Sequence, residues 1–340
     1  MNKKEGSMPN QQRSILAAVT LFFVAPLVAE YLLGDFAVNK LSPLIVMAPM
    51  YGGGALLIRE LARRTGRGWP TILLLGCAYC LIEEGYTTQT LFNPNALGLH
   101  LHLLAPAWIP SLGIGGWWTI FMLNIHPFWS IGVSIALVEG LFPARARTPW
   151  LGKIGDSVAA LLFAAGAYVS TLFTFHSDPF RASHTQFAVT AVFIVLFAVA
   201  AFLVPRSGPG TSAGAVPSPW LTGTGAFVFG AAVFLAPVTL NWAAVVWILA
   251  DDLIFLLLLW VFSRSSSWTA LHTFSVGAAG ALVYGVHAFI GNPVIPAPKA
   301  MVFLSHVLFL VLALAVIALG AVRTRAAVAA GAPATEPAVL

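Results

Sequence analysis

Apolar runs of about 20 residues recur along this 340-residue chain, and that is the length a helix needs to cross the hydrocarbon core of a bilayer. Ten runs can be read, at roughly 15–33, 41–58, 70–92, 117–142, 156–176, 187–204, 221–238, 241–262, 268–290 and 300–322. The chain is 59% hydrophobic and 9% charged, whereas a soluble domain carries about 25% charged residues. The weak alternation of a membrane β-barrel is absent. The expected fold is therefore all-α, a polytopic transmembrane bundle of about ten helices whose first partner is the lipid bilayer. The net charge of +5 is read by position rather than as a sign of acidic partners, and no nucleic-acid partner is expected.

The distribution of cations tests the span count, because cytoplasmic loops collect Lys and Arg. With the amino terminus inside, only Lys40, Arg181 and Lys299 of the 17 Lys and Arg fall outside. One missed or invented span would scramble that partition. The expectation is a multi-pass protein of the cytoplasmic membrane with both termini inside. Residues 1–14 form a polar cytoplasmic segment, and the run after it is read as a retained helix rather than a cleaved signal. A single membrane domain covers 15–322. It is interrupted by a Pro-, Gly- and Ser-rich linker at 205–219 that reads as flexible, and it is followed by a disordered tail at 323–340. The second run carries Pro43, Pro49 and Gly52-Gly53-Gly54, a break tolerated where backbone lines a cavity or packs closely on another helix. The basic stretch from Arg59 to Gly68 reads as an orientation signal, and Glu30 and Glu139 as acids near helix ends.

Two adjacent carboxylates, Glu83 and Glu84, stand inside the third run. Each ionised acid at the bilayer centre costs about 2.5–3.5 kcal/mol on the insertion scale, so a partner, water, a metal or a proton must offset them. At about 1.5 Å per residue, Glu83 and Glu84 lie roughly 13 Å from the outer end of their run, His126 a similar distance into the fourth, and Asp251-Asp252 roughly 15 Å into the eighth. This shared depth predicts one cavity lined by Glu84, His126 and at least one of Asp251 or Asp252.

Within the third run, Cys80, Glu84, Thr87 and Thr88 share a helical face, and Tyr79, Glu83, Tyr86 and Thr90 form the adjoining stripe. Glu83 and Glu84 are about 100° apart on an α-helix, so one is expected to face the cavity and the other a neighbouring helix. Asn124 precedes His126 at a proline kink made by Pro127. His287 is placed near the mouth. Glu83, Glu84 and His126 are the candidates for proton carriage or general-base work, and Thr87, Thr88, Asn124, Asp251, Asp252 and His287 for substrate contact.

The Glu83-Glu84 pair is similar in one respect to the CAAX-protease and bacteriocin-processing family of intramembrane metalloproteases. That family has Glu-Glu-x-x-x-Arg, then Phe-x-x-x-His and His-x-x-x-Asn or Asp in later helices. Here Thr88 takes the place of the arginine, Phe180-x-x-x-His184 falls in an outer loop, and His287 is followed by Asn292 one residue late. The chain is not assigned to that family.

Three functions follow from these residues. The first is a proton-coupled secondary transporter or permease for a small molecule or peptide, working without a cofactor. It is motivated by acid pairs in the third and eighth runs, which correspond in a five-plus-five division. The second is an intramembrane metal-dependent hydrolase, with Glu84, His126 and Asp252 holding a divalent ion such as zinc. The third is a non-catalytic scaffold in which these groups only fix helix register.

Overall fold

The computed structural model describes residues 10–331, except 207 and 209. The expected segment at 1–14 thus lies mostly outside the described residues, as does the tail from 332 onward. Among the described residues, ten long helical segments follow the ten apolar runs. They are α1 (10–32), α2 (Leu44–Arg64), α3 (69–87), α4 (Gly116–Leu141), α5 (Lys153–Ser177), α6 (His184–Leu203), α7 (Pro219–Leu235), α8 (Trp242–Ser263), α9 (Ala270–His287) and α10 (Lys299–Ala329). Among the described residues, α1, α2, α4, α5, α6, α8 and α10 are long and apolar enough to cross a membrane. The last helix continues to Ala329, so the beginning of the expected tail is helical.

Local chemistry sets several helix starts. Ser183 accepts from the Gln186 backbone while Gln186 returns a side-chain contact, a capping box at α6. Ser218 caps α7, with Pro219 at the first helical position, where its missing N–H costs nothing. The segment expected as a flexible linker bridges to the loop after α8: the Ser212 N–H donates to the Arg264 carbonyl at 3.1 Å and Ser266 N–H to Ser212 at 3.0 Å.

The helices sort into an interior and a rim. In α4, 78% of the apolar window is buried, against 11% in α6 and α8, 17% in α5 and 22% in α10. The rim helices turn Leu161, Phe173, Val195, Leu253 and Val311 outward, as lipid-facing helices do. α4 is surrounded by α1, α3, α8, α9 and α10. Small residues bring the interior helices together. A Cβ on Gly52 of α2 would lie 2.1 Å from the Phe22 carbonyl oxygen of α1, and one on Gly54 would lie 2.6 Å from the Tyr79 ring of α3. The glycines of the second run thus serve close helix packing, as their sequence suggested. α3 and α4 cross where Gly76 meets Pro127.

Four helical stretches widen into π-turns: Leu27–Leu32 in α1, Ala48–Gly52 in α2, Ile82–Thr87 in α3 and His126–Val133 in α4. Two contain a proline, Pro49 and Pro127, whose missing N–H breaks the regular ladder. The connection from α3 to α4 carries a small hairpin, β1 (Trp108–Ile109) with β2 (Ile114–Gly115). It is tied down by an Ala107 N–H bond to the Asn241 side chain, and the preceding loop by Asn93 to Asp178 at 2.7 Å.

Candidate functional site

Each of the four π-turns carries polar side chains into the same part of the interior. They supply Glu30 from α1, Tyr51 from α2, Glu83 and Glu84 from α3, and His126 and Ser130 from α4. Single π-turns inside α-helices are frequent at functional sites. Here the widening has a clear local effect. The regular helix expected for the third run would send its two glutamates apart, but in the π-turn both reach one imidazole.

Glu84 Oε1 lies 2.9 Å from His126 Nε2, and Glu83 Oε2 lies 3.5 Å from His126 Nδ1. Ser130 Oγ is 3.4 Å from the same Nδ1. Glu83, Glu84 and His126 are all buried, and each offers one ligand atom within 4.8 Å of the others. The second oxygen of Glu84 accepts from Thr88 Oγ1 at 3.2 Å and from the Thr90 hydroxyl, which in turn accepts from Trp118 Nε1 at 3.1 Å.

Thr90 reaches Glu84 because the chain reverses just before it. α3 ends at Thr87, not near Phe92 as the apolar run implied, and Gln89 adopts a left-handed φ of 58°. The two acids therefore lie within a turn of the helix end rather than nine residues from it.

A second buried pair joins them. Tyr51 donates a 2.5 Å hydrogen bond to Glu30 Oε1. The Tyr51 ring is stacked 6.4 Å from the His126 ring, with Tyr79 6.1 Å away on another side. The buried hydroxyls of Tyr79 and Tyr284 face Glu83 and Ser130 respectively. Glu30, Asp35, Glu84, His126, Tyr284 and His287 line a cavity of about 260 Å³ that extends to the turns after α1 and α9. By sequence Glu30 is an acid near a helix end. Only the packing of α1 on α2 places it here.

Of the sequence candidates, the structure brings together Glu83, Glu84, Thr88, His126 and His287. Thr87 is adjacent, but its hydroxyl is spent on the Ile82 carbonyl at 3.1 Å. Asp251 and Asp252 do not join the group. They line a separate, largely apolar cavity of about 130 Å³ with Trp129, Phe229 and Phe255. Asn124 is drawn to them, donating from Nδ2 to Asp252 Oδ1 at 2.5 Å. The expected common cavity is thus two cavities, and the triplet of Glu84, His126 and Asp252 is replaced by Glu84, His126 and Glu83. Equal depth on two helices does not make them face one another, and α8 meets α4 from the rim.

The cations of the first basic stretch also differ from expectation. Arg59, fully buried, pairs with Glu60 at 2.8 Å and Glu139 at 3.0 Å, donates to the carbonyls of Arg145, Ala146 and Thr148, and stacks 3.3 Å over Trp150. Arg63 completes the cluster on Glu139 at 2.8 Å. Arg59, Glu60 and Arg63 belong to α2, and they lock α2 to the end of α4.

A family described as "Uncharacterized membrane protein family" matches residues 19–249, which include Glu30, Glu83, Glu84, Asn124 and His126. No curated protein and no solved structure matches the chain.

Proposed function

The chain belongs to this uncharacterized membrane protein family, and from that premise we propose that it is an intramembrane metal-dependent hydrolase whose centre is Glu83, Glu84 and His126. It is an integral, multi-pass membrane protein. The observation that carries the reading is the convergence of two carboxylates and an imidazole, all buried, with ligand atoms within 4.8 Å of one another, beside the cavity that Glu84 and His126 line. Donors about 2.0–2.2 Å from one zinc ion lie within roughly 4.4 Å of one another; since Glu84 meets Nε2 of His126 and Glu83 meets Nδ1, one of the two carboxylates has to swing to the other edge of the ring to share the ion. Two carboxylates and one histidine make a catalytic rather than a structural donor set, with a position left for substrate.

A divalent ion held there would act as a Lewis acid toward a scissile carbonyl. The chain's own groups divide the remaining work. Thr88 and Thr90 hold Glu84 in place, and Ser130 steadies the ring of His126. Glu30, aimed by Tyr51, is the general base at the cavity wall. The buried Tyr79 hydroxyl stands beside Glu83 and helps to hold that carboxylate.

The proposal extends to topology. The ten helical segments are ten crossings of the cytoplasmic membrane with both termini inside, supported by the lopsided placement of Lys and Arg. The test is elemental analysis of protein purified under mild conditions. About one equivalent of zinc or a similar ion, lost in His126→Ala, is the expected result; less than about a tenth of an equivalent overturns the reading.

A proton-coupled permease is the second reading, and one observation favours it. Both ring nitrogens of His126 face a carboxylate, and only an imidazolium donates from both sides. A carboxylate–imidazolium–carboxylate chain is suited to proton carriage. Proton flux into proteoliposomes that disappears in Glu84→Gln, in metal-free protein, would place this reading first.

A further inference from the structure

We infer that the neighbouring guanidiniums of Arg67 and Arg206 form a docking site for the headgroup of an anionic phospholipid, whose acyl chains lie along α6. Arg67 stands in the turn between α2 and α3, and Arg206 just beyond the end of α6. These two stretches of chain clasp one another. Arg67 donates from Nη2 to the Phe202 carbonyl, and Arg206 donates from Nε to the Thr65 carbonyl at 3.2 Å. Buried Thr71, in the first turn of α3, adds a 2.8 Å bond to the Ala201 carbonyl. Carbonyls at the end of α6 lack helical partners and are taken up by these side chains. The same bonds fix both cations against one three-residue turn.

Neither cation has an acid to balance it. A guanidinium stays protonated in a protein, so both carry a full charge. The other arginines of the same basic stretch are paired: Arg59 with Glu60 and Glu139, Arg63 with Glu139, and Arg64 with Asp156 at 2.7 Å. Among the described residues, Arg67 and Arg206 form no ion pair, and their hydrogen bonds go to neutral carbonyls. The negative end of α6 is offset by the positive end of α3, which starts at Trp69 behind Gly68 with no side-chain cap. Two positive charges therefore remain side by side. Each guanidinium has five N–H donors in a fork that matches phosphate oxygens, and the clasp uses one from each.

The surface beside the arginines selects a lipid over a soluble anion. Val192, Leu196, Val199 and Leu203 form one exposed stripe along α6, and the stripe runs to the turn that carries Arg206. Only 11% of the apolar window of α6 is buried, and both α2 and α6 are long and apolar enough to cross a membrane. Their adjoining ends place the two cations at headgroup level, where an anionic lipid surface attracts Lys and Arg. A phosphate held there lays its acyl chains on the stripe.

The experiment titrates dioleoyl phosphatidylglycerol, dioleoyl phosphatidylcholine and inorganic phosphate separately into the purified, delipidated full chain in maltoside micelles. Bound molecules are counted by native mass spectrometry. The anionic lipid is expected to bind at least about tenfold tighter than the zwitterionic one, with no measurable binding of inorganic phosphate. Arg67→Gln with Arg206→Gln is expected to reduce that preference to less than about threefold. Arg13→Gln with Arg325→Gln removes the same charge from two exposed positions and is expected to leave the preference unchanged. Both double variants are checked for a monodisperse elution profile.

Equal affinity of the wild-type chain for the two lipids overturns the site, and that comparison needs no variant to fold. Equal losses in the two double variants also overturn it, because the preference would then follow net charge alone. Inorganic phosphate binding as tightly as the anionic lipid replaces the lipid with a soluble anion. None of these readouts depends on the metal centre.

Discussion

Tyr51 of α2 donates a 2.5 Å hydrogen bond to Glu30 of α1. Both residues sit on π-turns, and the contact exists because Gly52, the next residue, lets the α2 backbone touch the Phe22 carbonyl of α1. One missing side chain thus connects helix packing to the position of an acid in the site.

Replacing Gly52 with alanine tests that connection. The added methyl meets a backbone oxygen, which cannot swing away as a flexible side chain can, so the helices must separate. Overpacking of this kind costs about 1–3 kcal/mol. Denaturant titration in micelles is expected to show a loss in that range. Activity, once a substrate is known, should fall by more than stability explains, because Tyr51 and Glu30 move apart.

The threonine that orients Glu84 gives a second prediction. Thr90→Val removes the hydroxyl held between Trp118 and Glu84 while keeping the volume nearly constant. Groups that orient metal ligands contribute about 10–100-fold to metal affinity. Calorimetric titration of zinc into the apo variant is expected to show a decrease in that range, with the fold retained.

A third prediction separates the two cavities. Asp252→Asn removes a carboxylate that bonds Asn124 and lines the apolar cavity beside Trp129, away from His126. Metal content is expected to stay at the wild-type level in this variant and to be lost in Glu84→Gln. Equal losses in both would show that the acid pairs act as one site.

The fourth concerns the buried cluster at the other end of α2. Arg59 is fully buried and paired with two glutamates, and Glu139 holds both Arg59 and Arg63. Removing Glu139 leaves buried positive charge without its partner, which costs about 3–5 kcal/mol. Glu139→Ala is expected to lower the unfolding midpoint sharply. Arg59→Met with Arg63→Met in the Glu139→Met background should recover part of that loss, because both cations that Glu139 held are then removed with it.

The sequence by itself determined that this is an all-α membrane protein, because long apolar runs with few charges leave a bilayer-spanning bundle as the folded form. It also picked out Glu83, Glu84 and His126, since ionisable groups inside such runs are too costly to be incidental. Tertiary structure decided which groups meet. Periodicity gives the angle of a residue about its own helix axis, but the neighbour a face meets depends on how helices far apart in sequence pack. Asp251 and Asp252 matched the right depth and lie against a different wall, whereas Glu30, dismissed as an end-of-helix acid, was carried into the cavity by the α1–α2 contact at Gly52. The π-turns were half hidden: Pro49 and Pro127 mark two of them locally, because each removes an N–H from the ladder, whereas Leu27–Leu32 and Ile82–Thr87 read as ordinary helix and their widening is seen only in the folded chain.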